Sequence, residues 1–181
     1  MIHATVGCVN IVLIGMRGVG KTNIARRVCF LTKRPVMSTD VLVEYEVGLP
    51  IPQFVEQKGW AAFREAEYQV LRKLCAMDGL IIDAGGGIVV DLDAAGHEVF
   101  SDRKVDLLKA GGKIVFLSGD MERLATKVAG DPRRPTLDSR TSAIDLMRAR
   151  LPFYERAADW TIDVEGRQRS DIANDIAARY P

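Results

Sequence analysis

Between Gly15 and Thr22 the chain reads Gly-Met-Arg-Gly-Val-Gly-Lys-Thr, a glycine-rich run closed by a lysine and a hydroxyl. What flanks this run constrains the fold more than the run itself. Val9-Asn10-Ile11-Val12-Leu13-Ile14 precedes it and is apolar enough for a buried strand. After Lys21 the apolar residues Ile24, Val28 and Leu31 recur at i, i+4 and i+7, one face of a helix. Strand, glycine loop and helix in direct succession is the setting in which such a run cradles phosphate. The glycines let the backbone turn tightly and aim several N–H groups at an anion, and the helix N-terminus adds partial positive charge behind it. Lys21 can reach the β- and γ-phosphates, and the Thr22 hydroxyl can hold Mg²⁺. Gly18, Val19, Gly20 and Asn23 complete the nucleotide-contact set, with ATP and Mg²⁺ as the implied ligands.

A chain of 181 residues suits one domain with one sizeable core. Its formal net charge of +1 supplies no bulk attraction to nucleic acid or an anionic membrane, so anion recognition must be local. No apolar run is long enough to span a bilayer, and the first residues lack the basic and apolar segments of a signal peptide. Cys8, Cys29 and Cys75 are widely spaced without a C-x-x-C pair, which fits buried thiols in a reducing compartment. His3 and His97 lack metal-ligand spacing. A cytoplasmic monomer acting on a small molecule is the expectation.

Strand and helix signals alternate along the chain. Pro35-Val36-Met37 reads as a short strand, followed by a helix from about Val41. Pro50 and Pro52 break the chain, and a longer helix is expected over about 61–76, where Ala62, Ala66, Val70 and Leu74 make an apolar stripe. Leu80-Ile81-Ile82-Asp83 is a buried strand ending in an acid, ahead of Gly85-Gly86-Gly87. Lys113–Leu117 is another strand, with a helix from about Met121. A loop rich in proline and arginine covers about 130–138, a helix about 141–158, and Trp160–Asp163 closes as the last strand. The charged stretch between Gly87 and Ile114 reads as an exposed helix pair, and Met77, Met121 and Met147 as core filler. This alternation implies a three-layer α/β/α domain around a central parallel sheet, with ligands at the carboxyl ends of the strands.

Downstream elements narrow the chemistry: Asp40 after the second strand, Phe63-Arg64 with Glu67, the triple glycine, Arg134-Pro135, and Arg150 four residues before Tyr154. In this order, behind the phosphate loop, they resemble the shikimate kinase family of P-loop kinases over nearly the whole chain. The resemblance implies a P-loop kinase fold with a small lid at about 130–138 and transfer of the γ-phosphoryl group of ATP to the 3-hydroxyl of shikimate. It implies Lys21, Asp40 and Arg134 as catalytic residues, Asp40 being the base for the attacking hydroxyl. Arg64 and Arg150 would grip the acceptor carboxylate, and Gly86 and Gly87 would let the backbone approach its ring. Lys127 and Arg167, with Arg134, would contact ATP. An arginine fork suits a carboxylate, and Glu67, at i+3 from Arg64, can steady the guanidinium.

The family usually carries an acid two residues before Asp40, helping to order the metal's waters; here that position is Ser38. Asp83 ends an apolar strand in the pattern that holds Mg²⁺ in many P-loop proteins. The expectation is that the acid has moved from one strand end to its neighbour, making Thr22 and Asp83 the metal pair. The segment between Gly87 and Ile114 is also longer than the family's usual one. Two other readings remain: a gluconate- or nucleotide-type kinase on the same scaffold, and a catalytically silent ATP-binding regulator, which Ser38 alone supports.

Overall fold

The computed structural model describes residues 9–128 and 142–181. The expected lid at about 130–138, with Arg133 and Arg134, lies outside the described residues, as do His3 and Cys8. In chain order the elements are β1 (Asn10–Gly15), α1 (Lys21–Thr32), β2 (Val36–Ser38), α2 (Thr39–Val47), α3 (Ile51–Leu74) and β3 (Ile81–Asp83). They continue with β4 (Val90–Leu92), β5 (Glu98–Phe100), α4 (Asp102–Gly111), β6 (Gly112–Ser118), α5 (Met121–Val128), α6 (Ala143–Ala157), β7 (Trp160–Asp163) and α7 (Arg169–Arg179).

Five strands form one parallel sheet in the order β2-β3-β1-β6-β7. The central strand β1 is buried along its whole length because helices cover both faces, which is why it reads as an unbroken apolar run. Its one polar side chain, Asn10, is satisfied: the amide donates to the Met77 carbonyl at 2.7 Å and accepts from the Leu80 N–H at 2.8 Å. The connection from β1 to β2 runs one way across the sheet, and those from β2 to β3, β3 to β6 and β6 to β7 run the other. Right-handed crossovers therefore put α1 on one face and α3, α4 and α6 on the opposite one. The packing agrees, with α7 against α1, and α3 against α4. Because β1 and its neighbour β3 send their connections to opposite faces, a crevice opens above their carboxyl ends.

Three segments differ from the sequence expectation. The long helix begins at Ile51 rather than near Ala61, since Pro50 caps it and Pro52 lies in its first turn, where a missing N–H costs no hydrogen bond. Gly59, at φ +80°, kinks this helix into two pieces. The buried face below the kink carries Phe63, Arg64, Glu67, Val70, Leu71 and Leu74, so Val70 and Leu74 of the expected stripe are buried while Ala62 and Ala66 lie at its edge, half-buried. The stretch after Gly87 is not a helix pair but an antiparallel hairpin, β4–β5, followed by the single helix α4. Its turn is set by Asp93, whose carboxylate accepts from the Ala95 and His97 N–H groups at 2.9 and 2.8 Å, a local bond that competes with helix. The helix α7 carried no strong periodic signal and was not expected. At finer scale, the last turn of α1 leaves Leu31 exposed, and Met77 is exposed while Met147 is buried.

Candidate active site

The loop between β1 and α1 lines a cleft of about 340 Å³ at the carboxyl end of the sheet. Lys21 and Thr22 open α1, so their side chains stand where the helix N-terminus meets the cleft. The Lys21 ammonium donates to the Gly15 and Met16 carbonyls at 2.8 and 3.1 Å, which draws it back across its own loop. Lys127, near the end of α5, reaches over and donates to the Gly18 carbonyl at 2.9 Å. Arg169, the first residue of α7, stands on the other flank, its Nε 3.2 Å from where a Cβ on Gly20 would lie.

The Thr22 hydroxyl donates to Asp83 Oδ2 at 2.6 Å. Asp83 ends β3 and Ser38 ends β2, and the two are direct register partners across the strands. The acid missing at Ser38 is thus present on the adjacent strand, one inter-strand spacing away. Asp83 is 6% exposed, and its carboxylate is committed to the cleft side beside Thr22.

Asp40 lies in the first turn of α2, and Ser38 rather than Asp40 is the capping residue. Asp40 lines the same cleft. Its carboxylate packs on the triple glycine: a Cβ on Gly85 would lie 2.3 Å from Asp40 Oδ1. The buried hydroxyl of neighbouring Thr39 accepts from the Gly85 N–H at 2.8 Å, so the aspartate and the glycine turn are fastened side by side. Close approach, not an unusual backbone angle, explains the glycine. Gly87 has the same reason, since its Cβ would fall 2.5 Å from Arg64 Nη1.

Beyond the glycines lies a buried charge network. Arg64 is 3% exposed and donates through Nη1 to Glu67 at 2.7 Å and to the Gly87 carbonyl at 3.2 Å. Lys104 of α4, fully buried, donates to the same Glu67 oxygen at 3.0 Å and to the Val90 carbonyl at 2.7 Å. Burial pushes the Lys104 pKa down, with the Glu67 charge opposing the shift. Arg150 of α6 donates through Nε to Glu98 Oε2 at 2.7 Å, through Nη2 to Glu98 Oε1, and through Nη1 to the Gly86 carbonyl at 3.3 Å. Tyr154, one turn further on, donates its hydroxyl to the same Gly86 carbonyl and stacks on Phe116 at 5.2 Å. Arg64 Nη2 also reaches Glu98 Oε1, at 3.2 Å. Two arginines from α3 and α6 therefore converge on one carboxylate.

The shikimate kinase family model matches residues 17–181. The chain belongs to the shikimate kinase family. It is 45% identical to the shikimate kinase of Leptospira biflexa serovar Patoc over 92% of this chain and 93% of that one. Among solved structures, a shikimate kinase from Acinetobacter baumannii in complex with shikimate superposes with a TM-score of 0.81 at 29% identity, covering 93% of this chain and 90% of the other. The shikimate kinase from Aquifex aeolicus gives 0.75 at 26% identity, covering 93% and 94%. Family membership makes the chain an ATP-dependent kinase on the P-loop kinase fold.

Of the residues singled out from the sequence, Gly18, Gly20, Lys21, Thr22, Asn23, Asp40, Asp83, Gly86 and Lys127 meet at this cleft of the shikimate kinase family member. Arg64, Gly87 and Arg150 stand together just beyond it. The Val19 side chain is buried in the core, leaving only its backbone to the loop. Arg167 does not line the cleft; its guanidinium pairs with Asp175 at 2.5 Å. Arg169, two residues later, stands there instead. The sequence reading also missed Lys104 and Glu98, whose roles depend on a hairpin it took for helix. Arg17 lines the cleft as well and carried no signal beyond its place in the loop.

Proposed function

We propose that the chain transfers the γ-phosphoryl group of Mg-ATP to the 3-hydroxyl of shikimate, a step toward chorismate and the aromatic amino acids. The observation that carries this reading is the convergence of Arg64 and Arg150 on a carboxylate position next to the cleft that holds Lys21 and Asp40. A cyclic hydroxy acid gripped by its carboxylate there would turn its hydroxyls toward Asp40. Asp40 would accept the proton of the attacking hydroxyl at a carboxylate oxygen. Lys21 would offset charge on the transferred group, Lys127 and Arg169 would hold ATP from the flanks, and Arg134 would reach the phosphate from the lid. Most of the acceleration would come from alignment and charge compensation.

The pair Thr22–Asp83 fits Mg²⁺, an ion that takes one or two protein oxygens and fills its remaining positions with water and phosphate. When bound, the ion supplies positive charge to the phosphate oxygens. In this reading Asp83 does for the metal what an acid at Ser38 does elsewhere in the family. Asp83→Asn should raise the Mg²⁺ concentration needed for half-maximal turnover and weaken Mn²⁺ binding; unchanged values refute the exchange. A cytoplasmic setting is part of the proposal, supported by the free thiols of Cys29 and Cys75; so is a monomeric state, which a sizing column tests. No helix among the described residues is long and apolar enough to cross a membrane.

ADP release from Mg-ATP, measured with shikimate, gluconate, AMP or no acceptor, tests the function. Strong stimulation by shikimate alone is expected. ATP binding with no stimulation by any acceptor would favour the silent regulator.

A further inference from the structure

Glu98 raises a question that the proposed function leaves open, because its carboxylate fills the place that reading assigns to the acceptor. Glu98 sits at the start of β5, in a hairpin fixed at its base and its turn. Asp91 on β4 accepts from the Ser101 hydroxyl at 2.6 Å and from Arg103 Nε and Nη2 at 2.8 and 3.0 Å. On β5 the alternation turns Glu98 and Phe100 to one side and exposed Val99 to the other. Phe100 meets Phe153 edge-on at 5.9 Å, and Glu98 meets Arg150 one helical turn earlier on α6. The docking of the hairpin on α6 is what delivers this acid to the arginines.

Once there, it uses the edge of Arg150 that a carboxylate needs. Both Nε and Nη2 go to Glu98, and Nη1 goes to the Gly86 carbonyl. Arg64 gives Nη2 to Glu98, while its buried Nε has no hydrogen-bond acceptor. The Nε–Nη2 edge of Arg64 is thus half used, a donor pair shaped for a carboxylate better placed than Glu98. Charge points the same way. Arg64, Arg150 and Lys104 face Glu67, Glu98 and Asp91, and Arg103 and Glu65 pair on the outer rim. The cluster is balanced with Glu98 in place. A second carboxylate added beside it would set two acids on one pair of arginines, and like charges in a shielded site cannot both stay ionised without cost. Exchange keeps the balance; addition breaks it.

We infer that Glu98 is an internal stand-in for the acceptor's carboxylate, and that shikimate binds by exchanging with it at Arg64 and Arg150. Glu98 is then a specificity-determining residue. A neutral polyol cannot take its place without stranding two buried guanidinium groups, whereas a monocarboxylate can. The apparent acceptor affinity is reduced by the fraction of molecules in which Glu98 holds the site. The rotatable side chain lets the carboxylate leave while the hairpin stays on α6.

This inference rests on the proposed acceptor, so the experiment separates the two. Wild-type protein is first assayed for shikimate-dependent ADP release; no stimulation would overturn both readings. With stimulation present, shikimate affinity is measured for E98Q and E98A from the fluorescence of Trp60, whose ring centroid lies 5.5 Å from the Arg64 guanidinium carbon. Circular dichroism and melting temperature check each fold, E98Q keeping the side-chain size should E98A loosen the hairpin. Exchange predicts shikimate dissociation constants lower by roughly fivefold or more in both variants, with KM for ATP unchanged. Equal or weaker shikimate binding would overturn the exchange while leaving the acceptor standing, and would make Glu98 a brace that holds the arginines in position.

Discussion

The two ends of the site are built in opposite ways. At the end proposed to take the ATP phosphates the loop's own groups lie close together in sequence, at one strand–loop–helix junction, and are open to solvent: Thr22 and Asn23 are exposed and Lys21 half-buried, with Asp83, Lys127 and Arg169 brought in from other elements. At the end proposed to take the acceptor they come from α3, α4, α6 and the hairpin, and most are buried, with Arg64 at 3%, Glu67 at 1% and Lys104 at 0% exposure and Arg150 and Glu98 half-buried. An ATP phosphate brings its own charge and needs a shaped ring of donors, which a backbone turn supplies. A small acid must be oriented within a fraction of an ångström, which requires side chains whose positions are locked by packing and by other charges. The phosphate end is therefore separable from stability, and the acceptor end is not.

Substitutions can break or sharpen that contrast. The largest expected effect is at the boundary between the ends, where Asp40→Asn should lower kcat by roughly 100- to 10,000-fold with little change in melting temperature. A parallel loss of fold would place Asp40 with the structural network instead. Next is Glu67→Ala, which strands Arg64 and Lys104 in the interior. Breaking a buried pair costs about 3–5 kcal/mol, so the Tm should fall on the order of 10 °C and acceptor KM should rise. A Tm within a degree or two of wild type would show the network to be wetter than its burial implies. Arg169→Ala, at the open end, should raise KM for ATP by roughly tenfold at most, leave acceptor KM alone and leave the Tm within about 2 °C. A larger change in acceptor KM would erase the distinction between the ends.

The smallest effect is with pH. Burial would raise the Asp91 pKa, but hydrogen bonds from Arg103 and Ser101 and the charge of Lys104 hold it at about 2, below its ordinary 3.8. A carboxylate with a lowered folded-state pKa stabilises the fold fully above the unfolded value and loses that contribution as pH falls toward the folded one. Hydrogen-exchange protection in the hairpin should therefore decline between about pH 4 and pH 2, and less so in Asp91→Asn. Identical profiles for the two proteins would remove Asp91 from the account.

The same contrast governs what could be read without coordinates. The loop at Lys21 was legible because its neighbours announce themselves locally, through an apolar strand on one side and a 3.6-residue period on the other. Arg64 and Glu67 were legible as a pair because i and i+3 share a helix face. Lys104 was not, since nothing within a few residues of it predicts that α4 will press it against Glu67 from 37 positions away. The hairpin was misread because its charged turn resembles a solvated helix in composition, and the Asx-type bonds of Asp93 become visible only in three dimensions. Arg167, expected from the resemblance alone, lies just ahead of α7, whose weak amphipathic pattern gave no sign that Arg169 would be the residue to line the cleft.

By itself the sequence determined an alternating α/β chain with a glycine-rich loop at its first turn, and its resemblance to a kinase family singled out an acid after the second strand and two arginines expected to take a carboxylate. It also located the missing acid at Ser38 and a spare one at Asp83. Only the tertiary structure decided that these two are register partners beside Thr22, and that one carboxylate of the chain's own, Glu98, closes on arginines 34 and 52 residues away. The physical reason is range. Backbone geometry and side-chain period act over a turn or a strand, whereas which distant charges meet is settled by how whole elements pack to bury their apolar faces.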